Sequence, residues 1–450
     1  MTVDPIYSLD DLKTLLETKH ANEPEFHQAV LEISEHLLPV IEQRPKWQEA
    51  RILDRLIEPD RVISFRVTWL DDENRVQINR GYRVQTSNDI GPYKGGLRFD
   101  PSVNLSVLKF LAFEQTFKNS LTGLPMGSGK GGADFDPKGK SDREVMHFCQ
   151  AFMTELARHI GVDTDIPAGD IGVGAREIGY LFGQYKKIEN RADSVLTGKE
   201  LSYGGSNIRP EATGYGVVYM ANEVVRQQGT NLDGKRCAVS GAGNVALYCA
   251  EKLLNGGATV VSLSDSDGTL YAPDGITEHH LQAIMEAKFE QRARLATVAE
   301  QHEELQFHAQ QRPWSLDCEL AFPCATQNEL DVDDARALAD NGCRYVIEGA
   351  NMPTTVAAAK HMAATGVTLV PGKAANAGGV AVSGLELTQN RMRMPWSRTR
   401  VDGELQDLMK RVHEQCVEHG TGEDGQVDYA RGANVAGFRK VAAAMLAQGI

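Results

Sequence analysis

None of the seven cysteines, at 149, 237, 249, 318, 324, 343 and 416, forms a C-x-x-C pair, and their number is odd. That argues against a disulfide framework and for reduced thiols. Histidine and cysteine show no ligand spacing, so no metal is expected. No apolar run approaches the ~20 residues that span a bilayer. The opening MTVDPIYSLDDLKTLL lacks the charged-then-apolar pattern of a leader. Positive charge is scarce: 47 Lys+Arg against 61 Asp+Glu leave a net charge of −14. A nucleic-acid or membrane-surface partner is therefore not expected, because binding a polyanion starts from a positive field. Small anionic ligands remain open, since they need only a local cluster of positive charge. The expectation is a soluble, cytoplasmic protein.

What the chain does contain is room. Its 450 residues suffice for two or three domains. Residues 8–57 read as helices (SLDDLKTLLETK, EFHQAVLEISEHLLPVIEQ, WQEARILDRLI) by the spacing of their apolar positions. RVISFRVTWLDD and VQINRGYRVQTS alternate and are rich in Val, Ile, Tyr and Trp, which predicts an antiparallel pair turning at 71–74. SVLKFLAFEQTFKNSL and REVMHFCQAFMTELARHI predict amphipathic helices. From about residue 200 the texture changes. EATGYGVVYMANEVVRQQG reads as helix, and KRCAVSGAGNVALYCAEKLLNGGATVVSLSD as a complete βαβ unit. Short strands follow at 318–324, 344–349 and 367–371. The expected fold is α/β: an α+β domain over 1–200, a Rossmann-like doubly wound parallel-sheet domain over 201–425, and a C-terminal helical return over 426–450. The linker is expected near 198–210, in GKELSYGGSNIRP.

Two glycine motifs compete for a nucleotide. Gly127, Gly129 and Gly132 satisfy a loose G-x-G-x-x-G, but no clean strand precedes them and no helix follows. A Walker A reading needs glycine at 124 and Ser or Thr at 131, where Leu and Gly stand. Gly241-Ala-Gly243-Asn-Val-Ala246 has both the strand and the helix, and it is the G-x-G-x-x-A variant whose helix amides hold a pyrophosphate. Asp265 closes the next strand and by pattern would accept a ribose 2′-hydroxyl. Ser264 beside it, with Lys288, Arg292 and Arg294 on the following helix, could equally hold a 2′-phosphate. Spacing leaves both readings open.

Lys130 therefore needs another role. GPYKGGLRF (91–99), EQTFKN (114–119), PMGSGKGG (125–132) and DIPAGDIGVG (165–174) each carry polar residues in glycine-rich or helix-end settings. Gln115 and Lys118 share a helix face. Lys94 and Lys130 each precede Gly-Gly, which removes side-chain cover. Three lysines and Asp170, together with a nucleotide domain, describe a pocket for an anionic substrate undergoing hydride transfer. Clustered, buried ammonium groups depress one another's pKa, so a lysine there can act as a base or polarise a carbonyl.

These segments, with RPEATGYG, SGAGNVA, PCATQNELD, EGANMPTT and PGKAANAGGVAVSGLE, resemble the glutamate dehydrogenases over essentially the whole chain, in particular the hexameric NADP-dependent type of bacteria and fungi. The resemblance implies two domains with an active-site cleft between them, NADP(H) as cofactor, and 2-oxoglutarate, L-glutamate and ammonium as substrates. It implies that Lys94 and Ser383 hold the distal carboxylate, and that Lys118 and Gln115 hold the α-carboxylate, with Arg209 also at the substrate. Lys130 would polarise the 2-oxo group and activate water, and Asp170 would move the proton of the amino nitrogen. On the cofactor side it implies Thr213 and Asn244 at the carboxamide, Asn351 and Asn376 along the cleft, and Gly241, Gly243, Val245 and Asp265 at the dinucleotide turn. Ser264, Lys288 and Arg294 would read the 2′-phosphate. A homohexamer built by the first domain is implied as well, with the helix near 434–448 packing back on that domain. Ser128 departs from the small glycine-like residues usual before the lysine; activity is expected to survive, with an effect confined to loop flexibility. The rival readings are a branched-chain or aromatic amino-acid dehydrogenase of the same superfamily and a non-catalytic NADP-binding regulator.

Overall fold

The alternating runs at 61–70 and 76–87 pair as expected. In the computed structural model, which describes Ile6 and residues 8–449, β1 (Arg61–Leu70) and β2 (Val76–Ser87) are antiparallel, with Arg61 opposite Gln85 and Leu70 opposite Val76. Asp71 caps their turn by accepting from the backbone N–H groups of Glu73 and Arg75. Three further strands complete this sheet: β3 (Tyr93–Phe99), β4 (Ser128–Ala133) and β5 (Asp165–Gly169), in the order β1-β2-β4-β3-β5. The glycine-rich segments are thus sheet strands, and the expected Lys130 loop is corrected: Lys130 stands in the middle of a central strand. One face of the sheet packs Leu97, Phe99 and Ala133 against Phe148 and Phe152 of helix Asp142–Leu156 and Leu181 of helix Ala175–Glu189. On the other, Val84 packs with Leu108 and Ala112 of helix Leu105–Leu121. The predicted helix over 47–57 is broken in two at Arg51, whose φ is 50°.

An ion pair is sealed inside this sheet. The Arg83 guanidinium donates to both Asp165 carboxylate oxygens, at 2.8 and 2.5 Å, and to the Gly95 carbonyl at 3.1 Å. Gln85 adds a bond to Asp165 at 2.9 Å. Three strands are braced by one bidentate contact with no solvent access.

The nucleotide half has seven strands: β6 (Arg236–Val239), β7 (Thr259–Asp265), β8 (Gly268–Tyr271), β9 (Gln306–Ala309), β10 (Leu320–Phe322), β11 (Tyr345–Ile347) and β12 (Thr368–Val370). Their order is β12-β11-β10-β6-β7-β8-β9, parallel through β7. The expected doubly wound parallel sheet is present, and at one edge β8 and β9 add to it antiparallel. These two strands are short and partly polar, so their periodicity left no readable signal.

The chain divides into two compact units. One runs to Asn207 and includes Ser383–Val401 and the segment from Asn434; the other is Ile208–Val382 with Asp402–Ala433. The boundaries expected at 200 and 426 therefore shift, and Ser383–Val401 moves from the nucleotide domain to the first unit. Glu386 is the reason. It forms a buried ion pair with Lys199 at 2.8 Å and accepts from the Gly198 N–H at 2.8 Å, tying the expected linker to helix Gly378–Met392. The last helix, Tyr429–Gln448, contributes Phe438 edge-on to Trp47, and its Gly437 carbonyl accepts from Ser120. All seven cysteines are buried free thiols. Among the described residues no helix is long and apolar enough to cross a membrane.

Candidate active site

Period-two alternation puts Lys94, Gly96 and Arg98 on one face of β3. Leu97 pairs with Gly131, which sets Lys130 of β4 beside Gly96. Asp170 follows β5 and fills the space that Gly96 leaves: a Cβ at residue 96 would stand 2.8 Å from the Asp170 Cβ. A Cβ at Gly95 would strike the Gly129 carbonyl oxygen. The side-chain cover these two glycines remove therefore makes room for the protein's own backbone and carboxylate.

The Lys130 ammonium donates to Asp170 Oδ1 at 3.1 Å, and Arg98 donates to Oδ2 at 2.7 Å. Burial pushes the Lys130 pKa below its ordinary value; Asp170 opposes this and Arg98 reinforces it. For Asp170, burial works upward, but Lys130 and Arg98 outweigh it and hold the carboxyl well below the usual range. The pair thus rests as an ionised carboxylate against an amine that yields its proton more readily than an exposed lysine. Arg98 went unnoticed in the sequence, because its role depends on Asp170, 72 residues further along the chain.

On the same face, Lys94 is buried and donates to Thr197 Oγ1 at 2.8 Å, and Thr197 shares a 2.5 Å hydroxyl contact with Ser383. Lys94 and Ser383 are brought together by a threonine that the sequence reading did not name. Gln115 and Lys118 are half-buried on helix Leu105–Leu121. Gln115 donates to Asn119 at 2.6 Å, and Asn119 donates to the carbonyls of Lys94 and Gly127 at 3.0 and 2.5 Å. Ser128 is fully buried, its hydroxyl 2.6 Å from that of Thr116. It fastens a strand to a helix, which corrects the expected effect on a flexible loop. Glu386, three residues after Ser383, is paired with the buried Lys199.

In the second unit, Gly241 has φ 89°, where a Cβ would lie 3.0 Å from the Cys324 carbonyl oxygen; a Cβ at Gly243 would meet nothing within 4 Å. Gly243 is the N-cap of helix Asn244–Asn255 and supplies no side-chain cap, so the first-turn amides stay available to an anion. The turn and the open cradle fit a dinucleotide pyrophosphate. Val245 borders Gly349, and Thr213 borders Gly379, with Arg209 close to the same glycine. The Asn376 side-chain nitrogen lies within bonding distance of the Gly349 and Ala350 carbonyls and of Asn351 Oδ1, at 3.0, 3.2 and 3.0 Å, so the two asparagines meet. Glu348, which the sequence reading passed over, accepts from the Gly372 N–H at 2.7 Å, and burial lifts its pKa to about 7.

The end of β7 is more occupied than expected. Ser264 accepts from the Gly241 N–H at 2.9 Å, so its hydroxyl serves the glycine turn. Asp265 accepts from the Asp267 and Leu295 N–H groups, each at 3.0 Å, with the Lys288 ammonium 3.6 Å away. Arg294 donates to Ser266, not Ser264, at 2.7 Å. The basic trio is not on one helix: Lys288 is in the last turn of Glu278–Phe289, Arg292 has φ 56°, and Arg294 precedes Leu295–Ala299. Asp265, Ser266, Lys288 and Arg294 still converge.

A glycine turn shaped for a dinucleotide and a buried lysine–aspartate pair define a dinucleotide-dependent dehydrogenase. Residues 204–449 match the family Glutamate/Leucine/Phenylalanine/Valine dehydrogenase, and residues 59–187 match Glu/Leu/Phe/Val dehydrogenase, dimerisation domain. The chain belongs to this family. It is 55% identical over 448 residues to the NADP-specific glutamate dehydrogenase of Escherichia coli (strain K12), covering 100% of each. Its fold superposes on Plasmodium falciparum glutamate dehydrogenase with TM-score 0.96 and 50% identity, over 98% of this chain and 94% of that one. The hetero-hexameric glutamate dehydrogenase of Thermus thermophilus, in a Leu-bound form, gives 0.79 and 27%, over 90% and 96%.

Proposed function

We propose that the chain is an NADP-dependent glutamate dehydrogenase catalysing 2-oxoglutarate + NH4+ + NADPH + H+ ⇌ L-glutamate + NADP+ + H2O. The observation that carries this reading is the single sheet face on which Lys94, coupled to Thr197 and Ser383, stands two residues along β3 from the position facing Lys130 and Asp170. Two strand residues span about 6.6 Å, enough to seat the three carbon–carbon bonds between the 2-oxo carbon and the far carboxylate of a five-carbon diacid with a hydrogen-bonding group at each end. Lys94 and Ser383 take that carboxylate; Lys118, Gln115 and Arg209 take the other end. Lys130 donates to the 2-oxo oxygen and delivers a proton as water leaves the carbinolamine. Asp170 removes the proton from ammonium so that its nitrogen can attack, and Arg98 keeps the carboxylate aimed by holding its second oxygen. NADPH, when bound, supplies the hydride that reduces the resulting 2-iminoglutarate.

For the cofactor, Gly241, Gly243, Asn244 and Val245 bind the dinucleotide turn, and Thr213, Asn351 and Asn376 orient the nicotinamide end. Lys288, Arg294 and Ser266 read the 2′-phosphate, with Ser264 and Asp265 shaping that turn. Lys288→Glu is expected to lower kcat/KM for NADPH by about tenfold or more relative to NADH, because a hydrogen bond to a charged group contributes about 1.5–3 kcal/mol. An unchanged ratio would place phosphate recognition elsewhere.

The deciding assay follows absorbance with ammonium and either 2-oxoglutarate or 4-methyl-2-oxopentanoate, each with NADPH and NADH. Strong preference for 2-oxoglutarate with NADPH is expected. Preference for the branched keto acid would sink the substrate reading, and no turnover with any pair would favour a non-catalytic binder. The same proposal includes a cytoplasmic homohexamer. The matched dimerisation domain supports self-association and the hetero-hexameric Thermus relative supports a count of six subunits; particle mass in solution tests the assembly.

A further inference from the structure

Three histidines outside the dehydrogenase chemistry meet in the second unit. One ring nitrogen from each of His279, His280 and His302 lies within 4.8 Å of the others. The ring centroids are 6.2 Å apart for His279–His280, 5.5 Å for His279–His302 and 5.2 Å for His280–His302. The first two stand in the first turn of helix Glu278–Phe289, and His302 follows helix Leu295–Ala299. His280 Nε2 also lies 4.0 Å from the carboxylate of Glu304. Twenty-one residues separate His280 from His302, so linear spacing gave no sign of the cluster, and the expectation of no metal rested on that spacing alone.

We propose that His279, His280 and His302, with Glu304 as fourth donor, form a binding site for a divalent transition-metal cation of the zinc class. Imidazole nitrogen with one carboxylate is a donor set suited to such ions. Nitrogens bound at about 2.0–2.1 Å to a tetrahedral ion stand about 3.3–3.4 Å apart, so the triangle has to contract. His279 is exposed and His302 half-buried, and rotation of these two rings supplies the movement. His280 is the buried anchor. Burial, and then His302, hold its pKa below the ordinary imidazole value, favouring the neutral form that ligates. His280 Nδ1 accepts from the Thr277 N–H at 3.4 Å, near the limit of a hydrogen bond. A cation on Nε2 moves the ring proton to Nδ1 and gives up this bond. The stronger cap, from the His280 N–H to the Thr277 hydroxyl at 3.2 Å, is untouched. Binding would clamp the start of one helix to the turn that leads into β9.

The test uses the full chain, stripped with chelator and titrated with Zn2+ in equilibrium dialysis, with Co2+ as a spectroscopic substitute. One equivalent per chain and an intense visible Co2+ absorption are expected. His279→Gln and His302→Gln should each weaken binding by more than about tenfold, since loss of even an outer-shell partner costs about 10–100-fold. His159→Gln, exposed in the other unit, should leave it unchanged. Zn2+ should raise the unfolding temperature of the unaltered chain but not that of the variants. Equal Zn2+ affinity in both His279→Gln and His302→Gln, or no saturable binding at all, overturns the proposal. Because His279 is exposed, its variant keeps the test valid even where His302→Gln folds poorly.

Discussion

Lys130→Ala is expected to lower kcat by about 10²–10⁴-fold, the range for loss of a positioned proton-transfer group, while NADPH still binds. The ammonium is buried, and no solvent lysine can replace it from the surface. Removing it also leaves Asp170 facing Arg98 alone. Asp170→Asn should fall in the same range, because an amide cannot take the proton from ammonium. Turnover followed by NADPH absorbance, beside NADPH binding followed by its fluorescence, separates chemistry from cofactor affinity. Near-normal turnover in either variant would remove that residue from the mechanism.

The two variants also differ in pH dependence. Glutamate oxidation, the reverse of the step in which Lys130 delivers its proton, needs neutral Lys130 and rises with pH as the ammonium loses its proton. Burial lowers that pKa, so the rise falls below the range of an exposed lysine. Asp170 works in the opposite direction by favouring the ammonium. The residual activity of Asp170→Asn should therefore show its rise at lower pH than the unaltered enzyme. A rise at higher pH would mean that another group sets the profile.

Arg83→Met is expected to destabilise the first unit by about 3–5 kcal/mol, because it strands a buried Asp165 carboxylate without its partner. Arg83 and Asp165 have no solvent access, and the lost contacts include the Gly95 carbonyl. Replacing both partners with apolar residues, Arg83→Met with Asp165→Leu, should recover much of the loss, since no unpaired charge then remains. Urea unfolding read through Trp69, buried in the same unit, measures both. A single-variant loss under about 1 kcal/mol would show that the pair contributes little. Because β3 also carries Lys94, the variant should raise KM for 2-oxoglutarate as well.

The βαβ unit around Gly241–Ala246 was legible because strand, turn and helix each leave a local signal, and those signals agree. The β1–β2 hairpin was legible for the same reason. SGKGGA and YKGGLRF were not read as strands, since glycine has low strand propensity and carries no hydrophobic alternation to betray a period of two. Arg98, Thr197 and Ser266 escaped notice because each acquires its role from a partner far along the chain: Asp170, Lys94 and Arg294. The second partner of Ser264 was hidden for a related reason. Proximity in sequence to Asp265 suggested a phosphate contact, whereas the hydroxyl faces back to Gly241.

By itself, the sequence determined which groups are available: the dinucleotide turn, three lysines, an aspartate and the motifs of a family. Such features are written in neighbouring residues, where local sterics and hydrogen bonding act. Only the tertiary structure decided how those groups are used. It made Lys130 part of a strand, divided Asp170 between Lys130 and Arg98, joined Lys94 to Ser383 through Thr197, and gathered two histidines of one helix with a third that follows another. Charge coupling and desolvation depend on distance through space, and a linear chain does not carry that distance.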